Sequence, residues 1–111
     1  MAPMAFFING RTGGDASGHS VSSAGDINGD GIDDLIIGAV RADPNGKTNA
    51  GQSYVVFGTT SGFSSTLNLS TLNGSNGFVI NGINASDFSG QSVSGAGDVN
   101  GDGIDDLIIG G

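Results

Sequence analysis

The chain has 111 residues, with 22 glycines, two prolines, no cysteine, no tryptophan and a hydrophobic fraction of 36%. Three basic residues stand against eleven acids, all of them aspartate, for a formal charge of −8. These figures exclude thiol chemistry, a membrane helix of about 20 apolar residues and a nucleic-acid surface, since almost no cation is present to displace counterions; they fit one all-β unit of short strands and tight turns.

In chain order, the start Met1-Ala2-Pro3-Met4-Ala5 lacks the basic residue and apolar core of a signal peptide. Phe6-Phe7-Ile8-Asn9-Gly10 is predicted as a short strand ending on an Asn-Gly turn. Residues 11–18 read as loop, and His19 to Ala24 as a strand of small residues. An acidic loop follows, Asp26-Ile27-Asn28-Gly29-Asp30-Gly31-Ile32-Asp33-Asp34, and then a strand from Leu35 to Val40. Asp43 to Lys47 is a turn cluster. Gln52-Ser53-Tyr54-Val55-Val56-Phe57-Gly58 is the clearest strand. Residues 59–77 are a long Ser/Thr/Asn/Gly-rich connection, with a brief strand expected near Leu67 to Leu69. No helical period of useful length occurs.

At Phe78 the chain starts again. Aligned without gaps at an offset of 72, residues 6–39 match residues 78–111 at 24 of 34 positions. Such self-similarity must be settled before any other fold argument. The chain is therefore read as a single segment, 1–111, holding repeat copies 6–77 and 78–111, the second ending before an equivalent of the Tyr54 strand.

The loop carries the chemistry. Eight of the eleven aspartates lie in its two copies, so the negative charge is concentrated. Calcium takes six to eight oxygens at about 2.3–2.6 Å. Oxygen side chains at positions 1, 3 and 5 of a tight loop point inward; here these are Asp26, Asn28 and Asp30. Gly31 at position 6 permits the turn, Ile32 at position 7 offers its carbonyl, and Asp34 at position 9 closes the set. The second set is Asp98, Asn100, Asp102, the Ile104 carbonyl and Asp106. Crowded carboxylates repel one another, and a divalent cation relieves that. Two structural calcium sites are thus expected, with magnesium disfavoured by its strict octahedral geometry. An acidic Asx turn that binds nothing is the plainer alternative, and the second copy with every oxygen kept weighs against it. An EF-hand is excluded: its bidentate Glu at position 12 is replaced by Ile37 and Ile109, and a β-branched run follows in place of a helix.

Residues 18–40 and 88–111, with Gly51 to Gly58, resemble the FG-GAP repeat of integrin α-subunit β-propellers and of many bacterial surface and secreted proteins. Two departures place the chain nearer the bacterial type: Ala16-Ser17-Gly18 lacks the Phe, and Gly38-Ala39-Val40 lacks the proline. The resemblance implies four-stranded antiparallel propeller blades. Inner strands would fall at 19–24 and 91–96, second strands at 34–40 and 106–110, a third at 52–58, and outer strands at 6–10 and 78–82, about one and three-quarter blades. It also implies an extracellular or cell-surface setting.

A propeller needs roughly four to eight blades, and repeat units need neighbours to bury their faces. The expected function is therefore a non-enzymatic, calcium-binding assembly module that closes a propeller by homo-oligomerisation, with a protein or glycan ligand for the assembled surface. The alternative is a fragment of a larger adhesion or enzyme-associated propeller. No membrane insertion is expected. No catalytic residue is assigned: His19, beside Asp15 and Ser17, is replaced by Gln91 in its own repeat. Asp15 and Asp87 are expected to brace turns, and Phe6, Phe57, Phe63, Phe78 and Tyr54 to fill the core between blades.

Overall fold

The computed structural model describes residues 7–10, 14–58 and 66–111. Phe6 and Phe63 lie outside the described residues, as does the His19 side chain. Among the described residues eight strands are found: β1 (Phe7–Asn9), β2 (Ser17–Gly25), β3 (Asp34–Ala39), β4 (Gln52–Val56), β5 (Thr66–Asn68), β6 (Gly77–Asn81), β7 (Ser92–Gly97) and β8 (Asp106–Gly110). Short 3-10 turns occupy Pro44–Gly46 and Leu69–Thr71. No helix among the described residues is long and apolar enough to cross a membrane.

The protein is all-β, and three strands of its first repeat form one four-stranded sheet with the opening strand of the second, in the order β2-β3-β4-β6. Every pairing in that sheet is antiparallel. This is the blade expected from the sequence, with strand ends moved by one or two residues. The largest shift is at β2, which begins at Ser17 inside the expected loop and pairs irregularly between Ser17 and Ser20. β7 and β8 form a separate antiparallel pair, the start of a second sheet.

The central strands β3 and β4 explain why the blade is stable. Their largest buried apolar side chains, Ile36, Ile37, Tyr54, Val55 and Val56, are β-branched or aromatic and alternate between two buried faces. Ile36 lies opposite Val55, and Ile37 opposite Tyr54. On one face Ile37, Ala39, Tyr54 and Val56 pack with Ala42 and Leu69. On the other, Ala24, Ile36 and Val55 are covered by Val93, Leu107 and Ile109 of the second repeat. Burying side chains of this size is worth about 1.5–3 kcal/mol each. Tyr54 meets its polar requirement inside the sheet: its hydroxyl donates to Gln52 Oε1 at 2.9 Å, and Gln52 Nε2 donates to Asn81 Oδ1 at 2.9 Å.

Three expectations need correction. The strand expected at 6–10 is not an outer blade strand here; β1 pairs in parallel with β5. The outer place beside β4 is filled by β6, as expected, and among the described residues the β7-β8 sheet has no third strand for β1 to border. Tyr54 is not core between the repeats, because it faces the chain's own connection at Leu69. Phe57 packs on the cluster between repeats and meets Phe78, with ring centroids 5.9 Å apart and planes tilted by 58°, but Phe78 itself is exposed and outside that core.

Candidate metal centre

The first acidic loop joins β2 to β3, and its shape is set by Asp26. One carboxyl oxygen of Asp26 accepts the N–H groups of Gly29 at 2.9 Å and Asp30 at 3.1 Å. The other accepts Gly31 N–H at 2.7 Å. Asp30 then accepts Ile32 N–H at 2.9 Å, and Asn28 Nδ2 donates to Asp30 at 3.3 Å. Gly31 sits at φ 83°, in the left-handed region that a side chain would resist. Asp34 is fully buried and spans the corner, accepting Ile27 N–H at 3.0 Å and Gly58 N–H at 2.9 Å.

The second loop, between β7 and β8, repeats this wiring. Asp98 accepts N–H groups from Gly101 at 2.8 Å, Asp102 at 3.0 Å and Gly103 at 2.8 Å. Asp102 accepts Ile104 N–H at 2.9 Å, and Asp106 accepts Val99 N–H at 2.9 Å. Gly103 matches Gly31 with φ 85°. Among the described residues Asp106 has no bond matching that of Asp34 to Gly58. Carboxyl oxygens of Asp98, Asp102 and Asp106 lie within 4.8 Å of one another. Asn100 and Ile104 are exposed on the same loop. Among the described residues this convergence is found for the second loop alone. In the first, both Asp34 oxygens are held by backbone donors.

The loops favour ionised carboxyls at their first position. For Asp26, desolvation pushes the pKa up, but the N–H donors of Gly31, Asp30 and Gly29 outweigh it and hold the carboxyl below its ordinary range. For Asp98 the Gly103 N–H is the main cause of the same lowering, opposed by desolvation and helped by Asp102 and Gly101. A carboxyl with a lowered folded pKa stabilises the fold above its ordinary value, and that support fades as pH falls through the folded value. In EDTA, the melting temperature is therefore expected to hold at neutral pH and to drop as the pH falls below about 4. Replacing Asp26 and Asp98 by Asn should flatten that drop, and an unchanged pH profile in the double variant would contradict this account.

One functional position was missed in the sequence. Asp33 and Asp105, at the eighth place of each loop, are not among the expected ligands. Asp105 accepts the backbone N–H of Asp26 at 3.0 Å, tying the second loop to the first. The doubled aspartate in both copies was the available signal. Asp87 braces a turn, as expected, by accepting Asn84 N–H at 2.9 Å. Asp15 is buried, and its carbonyl accepts Arg41 N–H at 3.0 Å.

Residues 17–56 match the FG-GAP repeat family. The chain is 39% identical over 93 residues to integrin alpha pat-2 of Caenorhabditis elegans, covering 84% of this chain and 7% of that protein. It is 33% identical over 109 residues to integrin alpha-PS2 of Drosophila melanogaster, covering 95% of this chain and 7% of that protein. The chain thus spans about 7% of the length of the curated relatives it matches.

Proposed function

With residues 17–56 an FG-GAP repeat, we propose that the chain is a non-enzymatic structural module that supplies calcium-stabilised blades to a β-propeller. Each loop holds one calcium ion: Asp26, Asn28, Asp30, Asp34 and the Ile32 carbonyl in the first, Asp98, Asn100, Asp102, Asp106 and the Ile104 carbonyl in the second. The observation that carries this reading is the convergence of the Asp98, Asp102 and Asp106 carboxyls within 4.8 Å. Oxygens around a calcium ion at 2.3–2.6 Å lie up to about 5 Å apart, so the spacing fits, and hard oxygen donors suit the ion. The first loop supports it by repeating the backbone bonds to its leading aspartate.

The ion's role on this reading is to stiffen the corner between two adjacent strands. Function then resides in the surface of the completed ring, which is suited to a protein or glycan ligand. Further copies of the chain complete that ring. A second reading is that these residues are a segment of a larger cell-surface propeller, and the small share of each integrin relative that they span favours it.

Calcium titration followed by thermal melting tests the metal. Ligand at a hundredfold excess over Kd adds about 2.7 kcal/mol per site, more than about 10 °C for a chain of this size. EDTA should reverse the gain, and D98N/D102N should remove about half of it. A melting temperature indifferent to both calcium and EDTA would sink the metal reading.

A further inference from the structure

The two repeats of this chain already form a joint, and its chemistry is specific. Asp105 accepts the Asp26 N–H at 3.0 Å. Ser20 Oγ donates to the Gly90 carbonyl at 2.8 Å. Val93 of the second repeat packs on the cluster of Ala24, Ile36 and Val55. One face of the first repeat thus meets the opposite face of the second, so the joint runs head to tail.

Moved along by the 72-residue period, each half of that joint recurs on an outer face of the chain. The counterparts of Asp26, Ser20 and Ile36 are Asp98, Ser92 and Ile108, on the free face of β7 and β8. The counterparts of Asp105, Gly90 and Val93 are Asp33, Gly18 and Val21, along the exposed β2 margin of the first repeat's other face, whose centre at Ile37 is covered by Leu69. Among the described residues, several of these groups lack the partners that their equivalents have. Ile108 is 60% exposed while Ile36 is fully buried, and Val21 is 64% exposed. Asp33 is exposed, and neither its carboxyl nor the Asp98 N–H has a hydrogen-bond partner among the described residues.

We propose that copies of this chain assemble head to tail by repeating this internal joint, with Asp33 and Val21 of one copy seated on the Asp98 N–H and Ile108 of the next. The partner is a second copy because its faces carry the complementary groups at the same spacing, with continuity from an interface already formed. The proposal rests on the reading of the chain as propeller blades and specifies how they join. A joint of this kind is heterologous: it closes into a ring where the rotation divides a full turn, and extends otherwise.

Two differences make the joint between copies weaker than the internal one. Ser23 stands where Gly95 stands in the internal joint; a β-carbon on Gly95 would come within 3.0 Å of Ser23 O and Ala24 C, so neighbours must yield slightly. The backbone bonds of Ser86, Phe88 and Ser89 to Thr48, Asn49 and Ala50, at 2.8, 3.0 and 2.9 Å, have no counterpart at the second repeat. Assembly should therefore depend on concentration.

Light scattering after size exclusion, in calcium and over a concentration series, reads the outcome. The unmodified chain should exceed its single-chain mass of 10.9 kDa as concentration rises. V21D and I108D each spoil every joint between identical copies, so each alone should remain a single chain. Mixed in equal amounts, they leave one good face apiece and should give a species of two chains that grows no further. Far-UV circular dichroism checks folding; Val21→Ser and Ile108→Ser replace either aspartate variant that unfolds. A single-chain mass for the unmodified protein at every concentration overturns the proposal, as does assembly that survives both variants or a mixture that stays single. A normal calcium shift alongside a single-chain mass refutes the joint alone. Absence of the calcium shift with the expected masses refutes the metal reading and leaves the joint standing.

Discussion

Replacing Asp34 by alanine is expected to destabilise the chain by about 3–5 kcal/mol even in EDTA, whereas Asp106→Ala should cost about 1 kcal/mol under the same conditions. The two residues hold the same place in the two loops, so the difference tests packing rather than motif. Asp34 is fully buried and accepts two backbone N–H groups, from Ile27 at 3.0 Å and Gly58 at 2.9 Å. Truncation leaves both donors without an acceptor, at about 1–3 kcal/mol each. Against a total stability of about 5–15 kcal/mol, that is a large fraction. Asp106 is half-buried and, among the described residues, accepts Val99 N–H alone, at 2.9 Å. Asn at position 34 should rescue only part of the loss, because its amide offers one acceptor where two are used. Denaturant unfolding in EDTA measures all three variants without a contribution from metal. Equal losses for Asp34→Ala and Asp106→Ala would show that the tie to Gly58 contributes nothing. Calcium should widen the effect of each, because both are also candidate ligands.

This pairing also shows what the sequence could and could not convey. The loops, the period and the strands of the first sheet were legible because each leaves a local mark: oxygen residues at alternating positions, glycine at the turn, and β-branched runs. The different environments of Asp34 and Asp106 leave none, since they depend on whether a third strand passes the loop. Alternation along β4 announces two buried faces, but not which neighbour covers each. Tyr54 therefore read as core between blades, although Leu69 of the following connection covers it. β1 was misplaced for a similar reason, because strand propensity does not reveal which neighbour a strand will take, here β5. The eighth-position aspartates escaped notice because their partner is a backbone N–H in the other repeat, which no spacing within a loop encodes.

Gly38→Ala is expected to lower stability by about 1–3 kcal/mol or more, and Gly110→Ala to leave the single chain nearly unchanged while abolishing its assembly. The two glycines are equivalent in the repeat. A β-carbon at Gly38 would overlap the Gly90 carbonyl oxygen and crowd Ser20 Oγ at 2.6 Å. The carbonyl belongs to the backbone of the second repeat and cannot step aside without opening the joint between repeats. It also accepts the Ser20 hydroxyl, so the overlap threatens the hydrogen bond there as well. At Gly110 the close neighbour is Ser92 Oγ, at 2.7 Å. That hydroxyl ends a short exposed side chain that can rotate, and a less flexible unfolded chain offsets what strain remains. If the internal joint is repeated between copies, however, Gly110 faces the Gly18 carbonyl of the next copy as Gly38 faces Gly90. Its β-carbon then meets a backbone oxygen only in the assembled state. Thermal melting should separate the two variants, and light scattering should unite Gly110→Ala with I108D as a folded single chain. A Gly38→Ala chain as stable as the unmodified one would refute the tight approach of the repeats. Gly110→Ala copies that still assemble would show that contact between copies takes another face.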